Sequence, residues 1–370
     1  MAIYSKNEQI LQSDEPLHPG EVLKDELEAR GIKQKDFAGD IGLPVTQLNE
    51  VINGKRIVSS ELAVLLEASL NIDASFWTSL QADFDLAKAR TSEKVMAKTE
   101  SVQLWAYIKQ FVNVNYLRKA NALDDSIEGS IERIKSIFNI STWEDLERLM
   151  ERPSLQYYRQ SVTLNTNEVN LLTWINYVRY CANQEQVSSY KPEFIDNLIG
   201  ELKDIFLVNQ NVIEKTKGAL GKYGIIFQIK EKPEGVNVDG VAFWGTKNPV
   251  ITLTLRHKRI DNFIFTLFHE LGHVQLHLGK NEVIYIDDTE TVILTEQNII
   301  EKEADVFAAN NLIAEDAWKL FVRRVRPFND DNIRIYAHRF GVLPAVVRGR
   351  LCRERLVDYK SKTTINNSIN

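Results

Sequence analysis

Between Pro19 and Asp85 the apolar positions fall at helical spacing in short, sharply punctuated runs. Pro19-Gly20-Glu21 opens a helix in which Val22, Leu23, Leu27 and Ala29 supply the apolar positions, and Gly31 ends it. A second helix runs from about Gln34 to Ile41. Gly42-Leu43-Pro44 makes a sharp turn, and a third helix, Val45 to Ile52, stops at Asn53-Gly54. Phe37, Ala38, Ile41, Leu43, Leu48 and Val51 would close a small core between them. Two short helices joined by a glycine-containing turn make the helix-turn-helix pattern. Residues 88 to 215 continue mostly as helix. Ser141-Thr142-Trp143-Glu144 reads as a capped helix start, and Leu155 to Arg159, Trp174 to Tyr180 and Phe194 to Leu207 as amphipathic helices. The aromatic-rich stretch from Ser101 to Leu117 reads as core packing.

From Gly224 the pattern shifts to short strands: Ile225 to Ile229, Val241 to Trp244 after the turn Asp239-Gly240, and Val250 to Leu255. The third strand is either an edge on which an extended substrate backbone pairs or an interior strand of a small sheet. A longer helix follows, with Leu267, Leu271, Val274 and Leu278 as its buried stripe. Another carries Ile300, Ala304, Phe307 and Asn311 or Leu312 along one side. Ile333 to Leu351 forms a second run of the helix-turn-helix kind, either a basic nucleic-acid surface or, preferred, a helical cap under the preceding elements, and Thr363 to Asn370 reads as a disordered tail. The expected fold is mainly α with a small β-sheet. Its expected divisions are a helical bundle at 1–88, a helical linker or brace at 89–210, an α+β domain at 211–360 and a tail at 361–370.

Chemistry concentrates on two of these helices. His269-Glu270-Leu271-Gly272-His273 is an H-E-x-x-H run, and four of the chain's six histidines lie between His257 and His277. Histidines four apart leave one face of a helix and suit two corners of a tetrahedral zinc site, with Glu270 placed to take a proton from the attacking water. The third ligand is sought in Glu301-Lys302-Glu303-Ala304-Asp305. Glu301 and Asp305 share a face, so a Glu ligand can sit one turn before an Asp that holds the second nitrogen of a ligand histidine. Glu303, two residues on, points roughly the opposite way and is the alternative ligand.

Together these motifs resemble the ImmA/IrrE family of metallopeptidases, which shows H-E-L-G-H-x-x-L-H followed by E-x-E-A-N-x-F-A. This chain has His269-Glu270-Leu271-Gly272-His273 with Leu276-His277, then Glu301, Glu303-Ala304-Asp305 and Phe307-Ala308. It departs only in Asp305, where Asn is common, and both side chains accept a hydrogen bond. The resemblance spans about residues 210 to 355. It implies a zincin-like fold, a Zn2+ held by His269, His273 and Glu301, and Glu270 as general base.

The N-terminal segment resembles the phage-repressor type of helix-turn-helix, and most closely the HigA antitoxins. The resemblance rests on His18-Pro19-Gly20-Glu21-Val22-Leu23, Gln34, Ala38, Leu48 to Arg56, Ser59 to Ala63 and Ala74-Ser75-Phe76-Trp77. It implies that Thr46, Gln47, Asn49 and Glu50 meet base edges in the major groove and that Gln34 contacts phosphate. Lys33, Lys35, Lys55 and Arg56 form the module's only basic patch.

Charge qualifies this picture. The net charge of −6 is no global sign of nucleic-acid binding, and residues 1–85 carry 7 basic and 15 acidic side chains, a balance of −8. Weak non-specific affinity is expected, so a homodimer reading a palindromic site in double-stranded DNA fits best. Residues 319–360 carry 11 basic and 4 acidic side chains, +7. No run approaches membrane-spanning length, the N-terminus has no signal-peptide pattern, and Cys181 and Cys352 suggest no disulfide framework. The expectation is a cytoplasmic regulator that is an antitoxin or autorepressor with a peptidase domain. The alternative is a non-catalytic, zinc-bearing scaffold that binds a toxin or another protein.

Overall fold

The computed structural model describes residues 17–151, 168–278, 284–286 and 296–370; the helix expected at Leu155 to Arg159 lies outside them. The chain divides into two compact units, residues 1–104 and 105–370.

The first unit contains α1 (Pro19–Ala29), α2 (Gln34–Asp40), α3 (Val45–Ile52), α4 (Ser60–Leu70) and α5 (Ala74–Thr91), and α6 (Glu93–Ile108) runs across its boundary. Leu23, Leu27, Phe37, Ala38, Leu48, Val51, Leu66 and Trp77 form its core, which includes the residues expected from spacing. Ser59 caps α4 and Asp73 caps α5 with side-chain oxygens.

The second unit begins with α7 (Val114–Lys119), α8 (Ile127–Phe138), α9 (Glu144–Glu151), α10 (Glu168–Asn183), α11 (Ile195–Val208) and α12 (Val212–Lys222). Strands β1 (Ile226–Ile229), β2 (Gly240–Trp244) and β3 (Pro249–Leu253) follow, then α13 (Ile260–Leu276), β4 (Ile284–Ile286), α14 (Glu296–Leu312), α15 (Glu315–Arg324), α16 (Asp330–Phe340) and α17 (Pro344–Arg353). The sheet has the order β1-β3-β2-β4, with β1 parallel to β3 and the other pairs antiparallel. β3 is therefore interior, and its edge reading is withdrawn. The crossover that makes β1 and β3 parallel places β3 between two strands, and no local pattern in β3 records that.

Alternation along the strands explains the layers. Ile226, Val241, Phe243 and Val250 face one side, and Phe227, Ala242, Ile251 and Leu253 the other. The second face packs on α11 to α13 and the C-terminal helices. The first is covered by Leu171, Trp174, Ile175 and Val178 of α10. Gln228 donates to the Val178 carbonyl at 2.9 Å, and Trp174 Nε1 to the Glu231 carbonyl at 3.2 Å. Of the linker and brace readings for 89–210, α10 takes the second form, as a layer packed on the sheet. A sheet apolar on both faces needs two covers, and the helices after it supply only one.

The tail is also corrected. Asn367 accepts the Ile260 N–H at 3.1 Å through its backbone oxygen and the Asp261 N–H at 3.1 Å through its side chain. Asn370 accepts the Val212 N–H at 2.9 Å. Neither Arg259 nor Asn211 offers a side-chain cap, so residues far along the chain cap α13 and α12. Ile365 and Ile369 pack on the body's core. Polar composition mimics disorder here because the partners are distant in sequence. Among the described residues, no helix is long and apolar enough to cross a membrane.

Deleting residues 363–370 should destabilise the second unit by about 2–3 kcal/mol, one to two helix caps' worth plus the two isoleucines. Calorimetry of the full chain should show that unit's transition roughly 5–10 °C lower, with the first unit's transition unmoved.

Candidate metal centre and nucleic-acid-binding head

α13 is buried on every side: each residue from Thr266 to Val274 is buried, the histidines and Glu270 included. Leu267, Leu271 and Val274 face the sheet core as the spacing predicts. The opposite face is closed by α14. The contact is close. A Cβ at Gly272 would stand 3.1 Å from Ala304 Cα and 3.2 Å from Phe307 Cβ, so glycine lets the two helices approach. Ala304 and Ala308, one turn apart and fully buried, supply the small surface on the other side.

That approach brings three donor groups together. His269 Nε2 lies 3.1 Å from Glu301 Oε2 and 3.0 Å from His273 Nε2, and His273 Nε2 lies 3.5 Å from Glu301 Oε1. The edge of a tetrahedron built on zinc–nitrogen bonds of about 2.05 Å is about 3.3 Å, so the separations match. Chemistry agrees with geometry. A proton between the two facing nitrogens serves only those two, whereas a cation accepts lone pairs from both and from the carboxylate. His269, His273 and Glu301 therefore fit a metal ion. Glu303 is not in the cluster: its Oε2 is 2.9 Å from His277 Nε2, and His277 Nδ1 is 3.1 Å from His273 Nδ1.

The surroundings set the protonation of these groups. Burial alone would raise the Glu301 carboxyl, but the adjacent His269 and His273 rings outweigh it and hold it down at about 2. Asp305 lies 3.0 Å from His269 Nδ1 and is held below the usual carboxylate range, because His269 and Arg353 overcome the effect of burial. Burial lowers the pKa of His273, with Glu301 opposing. Asp305 thus keeps the His269 proton on Nδ1 and turns Nε2 towards the cluster. Glu270 is fully buried, and a Cβ at Gly240, where β2 starts, would stand 2.9 Å from its Cγ and Cδ and closer still to Oε1. Glycine at 240 leaves the volume that this carboxylate fills.

Sequence reasoning missed two of the residues around the site. Arg353 of α17 donates to Asp305 at 2.9 Å and lies over the Phe265 ring at 4.0 Å, a contact that only the tertiary fold creates. His277 had a signal, one turn after His273, but no role. Two further C-terminal arginines are engaged within the unit. Arg350 lies over Trp318 and pairs with Glu315 and Glu354, and Arg348 donates to backbone oxygens of the tail. This is the helical-cap arrangement expected for that segment.

In the head, Thr46, Asn49 and Glu50 are exposed on α3, Gln47 is half-buried beside them, and Gln34 begins α2. Lys55 and Arg56 are exposed just past α3, with Arg56 3.5 Å from Glu50. Asn49 Oδ1 accepts from Asn53 at 2.6 Å, so part of its hydrogen-bonding capacity is used inside the helix. His18 caps α1, its Nδ1 accepting the Gly20 N–H at 2.9 Å, and its ring stands edge-on to Phe84 at 4.6 Å.

Comparison with known proteins follows this division. Residues 23–77 match the helix-turn-helix family, and residues 226–351 match the IrrE N-terminal-like domain. Virulence-associated protein A' of Dichelobacter nodosus is 39% identical over 74 residues, 20% of this chain and 64% of that protein, so the chain spans less than two thirds of this relative. Virulence-associated protein A of the same organism is 39% identical over 75 residues, 20% of this chain and 74% of that protein. The structure of Pseudomonas aeruginosa antitoxin HigA with the higBA promoter is 29% identical, covering 23% of this chain and 94% of that one at a TM-score of 0.22. The chain belongs to the helix-turn-helix family through its N-terminal unit, and within its second unit residues 226–351 match the IrrE N-terminal-like domain.

The His18 cap carries a pH dependence. Burial lowers its pKa from the ordinary value, with Glu21 and Asp85 opposing. The folded head therefore binds this proton less readily than the unfolded chain, whose histidine titrates near about 6.5. The cap's contribution is complete above about pH 6.5 and declines as pH falls towards the lowered native value, because a protonated Nδ1 cannot accept the Gly20 N–H. Urea unfolding of the full chain, followed at NMR signals of Leu23 and Leu27, should show the head less stable at pH 5.5 than at pH 7. His18→Asn keeps an acceptor without the titration and should flatten that difference.

Proposed function

We propose that this chain is an antitoxin-like DNA-binding autorepressor whose second unit is a zinc-dependent peptidase acting on one specific protein. The convergence of His269, His273 and Glu301, with Glu270 on the same helix, carries the enzymatic half. A zinc ion held there supplies a Lewis acid that acidifies water and polarises a peptide carbonyl. His269 and His273 present Nε2, and Asp305 orients the first of them. Glu270 accepts the proton of the attacking water and delivers it to the leaving amine. The substrate is a toxin, a repressor or the chain itself near residue 90.

The head's part rests on its family match and on the exposed polar residues of α3. Thr46, Gln47, Asn49 and Glu50 read base edges, Gln34 contacts phosphate, and Lys55 and Arg56 add charge at the backbone. With a local balance of −8, non-specific attraction is weak, so a homodimer on a palindromic operator supplies the affinity. One observation favours a second reading, a zinc-bearing scaffold that neutralises a partner without cleaving it: Glu270 is fully buried, and a base must meet water.

Metal analysis should find about one zinc per chain, lost in His269→Ala and Glu301→Gln. Glu270→Gln should keep the zinc and slow cleavage of the partner by about 100- to 10,000-fold. Partner fragments appearing equally with wild type and Glu270→Gln, followed by mass spectrometry in cells, would leave the scaffold.

For the head, Gln47→Ala should relax base preference at one position of each half-site, while Lys55→Ala should weaken binding to all sequences alike and flatten the salt dependence. Footprinting upstream of the chain's own gene reads both. An unprotected promoter, with repression intact after deletion of residues 1–88, would remove the head from this role.

A further inference from the structure

Glu303 stands two residues beyond Glu301 on α14 and is used differently. An ionised carboxylate only accepts hydrogen bonds, so the 2.9 Å contact to His277 Nε2 places the His277 proton on that nitrogen. The other ring nitrogen, Nδ1, then faces His273 as an acceptor. The 3.1 Å contact between the two Nδ1 atoms is consequently a bond donated by His273. His273 is left with its lone pair on Nε2, the atom 3.0 Å from His269 Nε2 and 3.5 Å from Glu301 Oε1. One carboxylate at the surface sets two ring tautomers in turn, and the second ring belongs to the metal cluster.

We propose that Glu303, acting through His277, is a positioning residue for His273: it orients the ring and keeps the proton on Nδ1 so that Nε2 faces the metal. This rests on the reading of His269, His273 and Glu301 as ligands. It makes the two histidines equivalent in design. His269 is oriented by Asp305 directly, and Arg353 clamps that carboxylate. His273, one turn nearer the C-terminal end of α13, is served by a second carboxylate through an intervening imidazole. The His277 side chain is only 7% exposed, so its ring is confined, whereas the Glu303 side chain is 55% exposed. A surface pair of that exposure adds little to fold stability, so an effect on the metal separates from an effect on folding.

The full-length chain tests this by zinc competition against a chromogenic chelator, alongside zinc content at saturation and melting of the metal-free protein. Glu303→Ala should keep one zinc at saturation and melt as wild type does, but bind zinc about 10- to 100-fold more weakly. Glu303→Gln should recover most of that loss, since its amide oxygen accepts the same bond from His277. His277→Ala should weaken zinc binding as Glu303→Ala does, and the double variant should be no weaker than either single one. Wild-type affinity in Glu303→Ala would overturn the proposal. So would a Glu303→Gln as weak as the alanine variant, which would mark simple charge attraction, or additive losses in the double variant. A wild-type chain that takes up no zinc would overturn the ligand reading itself, a separate outcome.

Discussion

The close contact of Gly272 with Ala304 governs the second unit. A glutamate side chain is short, and Glu301 reaches His269 and His273 only because α14 lies against α13 without an intervening side chain. The H-E-x-x-H spacing supplies two nitrogens from one helix, but the third donor depends on the separation of two helices. Glycine at 272 and alanines at 304 and 308 make that separation small. Asp305 and Glu303, on the same helix as Glu301, inherit their places from the same contact.

Burial makes those outer carboxylates necessary. α13 runs through the interior, so each polar group on it must be satisfied inside the protein. His269 meets Asp305, and His273 meets His277 and then Glu303. Arg353 closes the first of these lines from α17, and the tail caps the start of α13 from the far end of the chain. The helix bearing the chemistry is thereby held at its N-terminus, along its polar face and against the sheet. This degree of fixation is what a site needs to hold donor atoms a few tenths of an ångström from ideal positions.

The head works under a different constraint. Its core is small, its surface is acidic, and its few cations lie at the edges of α3. Affinity for a polyanion under these conditions comes from the fit of α3 more than from charge. His18 shows how the module economises: one buried ring caps α1 and packs against Phe84 of α5, so the entry of the chain and the end of the bundle are joined by a single side chain.

By itself the sequence determined the local structure and the chemical inventory. Helix spacing located α1 to α3, α13 and α14, and β1 to β3 lie where the sequence pattern placed them, whereas β4 was not foreseen. That His269 and His273 share a face, as do Glu301 and Asp305, was legible because helical periodicity fixes which residues share a face over four positions. What lay beyond one turn of helix was decided by the tertiary structure. Glu303 was read as pointing away from the site, yet it reaches His277 once α14 is set against α13. β3 became interior through a crossover, α10 became a layer of the body because both sheet faces had to be covered, and a polar tail became the cap of two helices. The physical reason is common to all of these. Periodicity encodes which side of an element is apolar, whereas partners, caps and strand order depend on segments brought together from tens to more than a hundred residues away, and no local pattern carries that information.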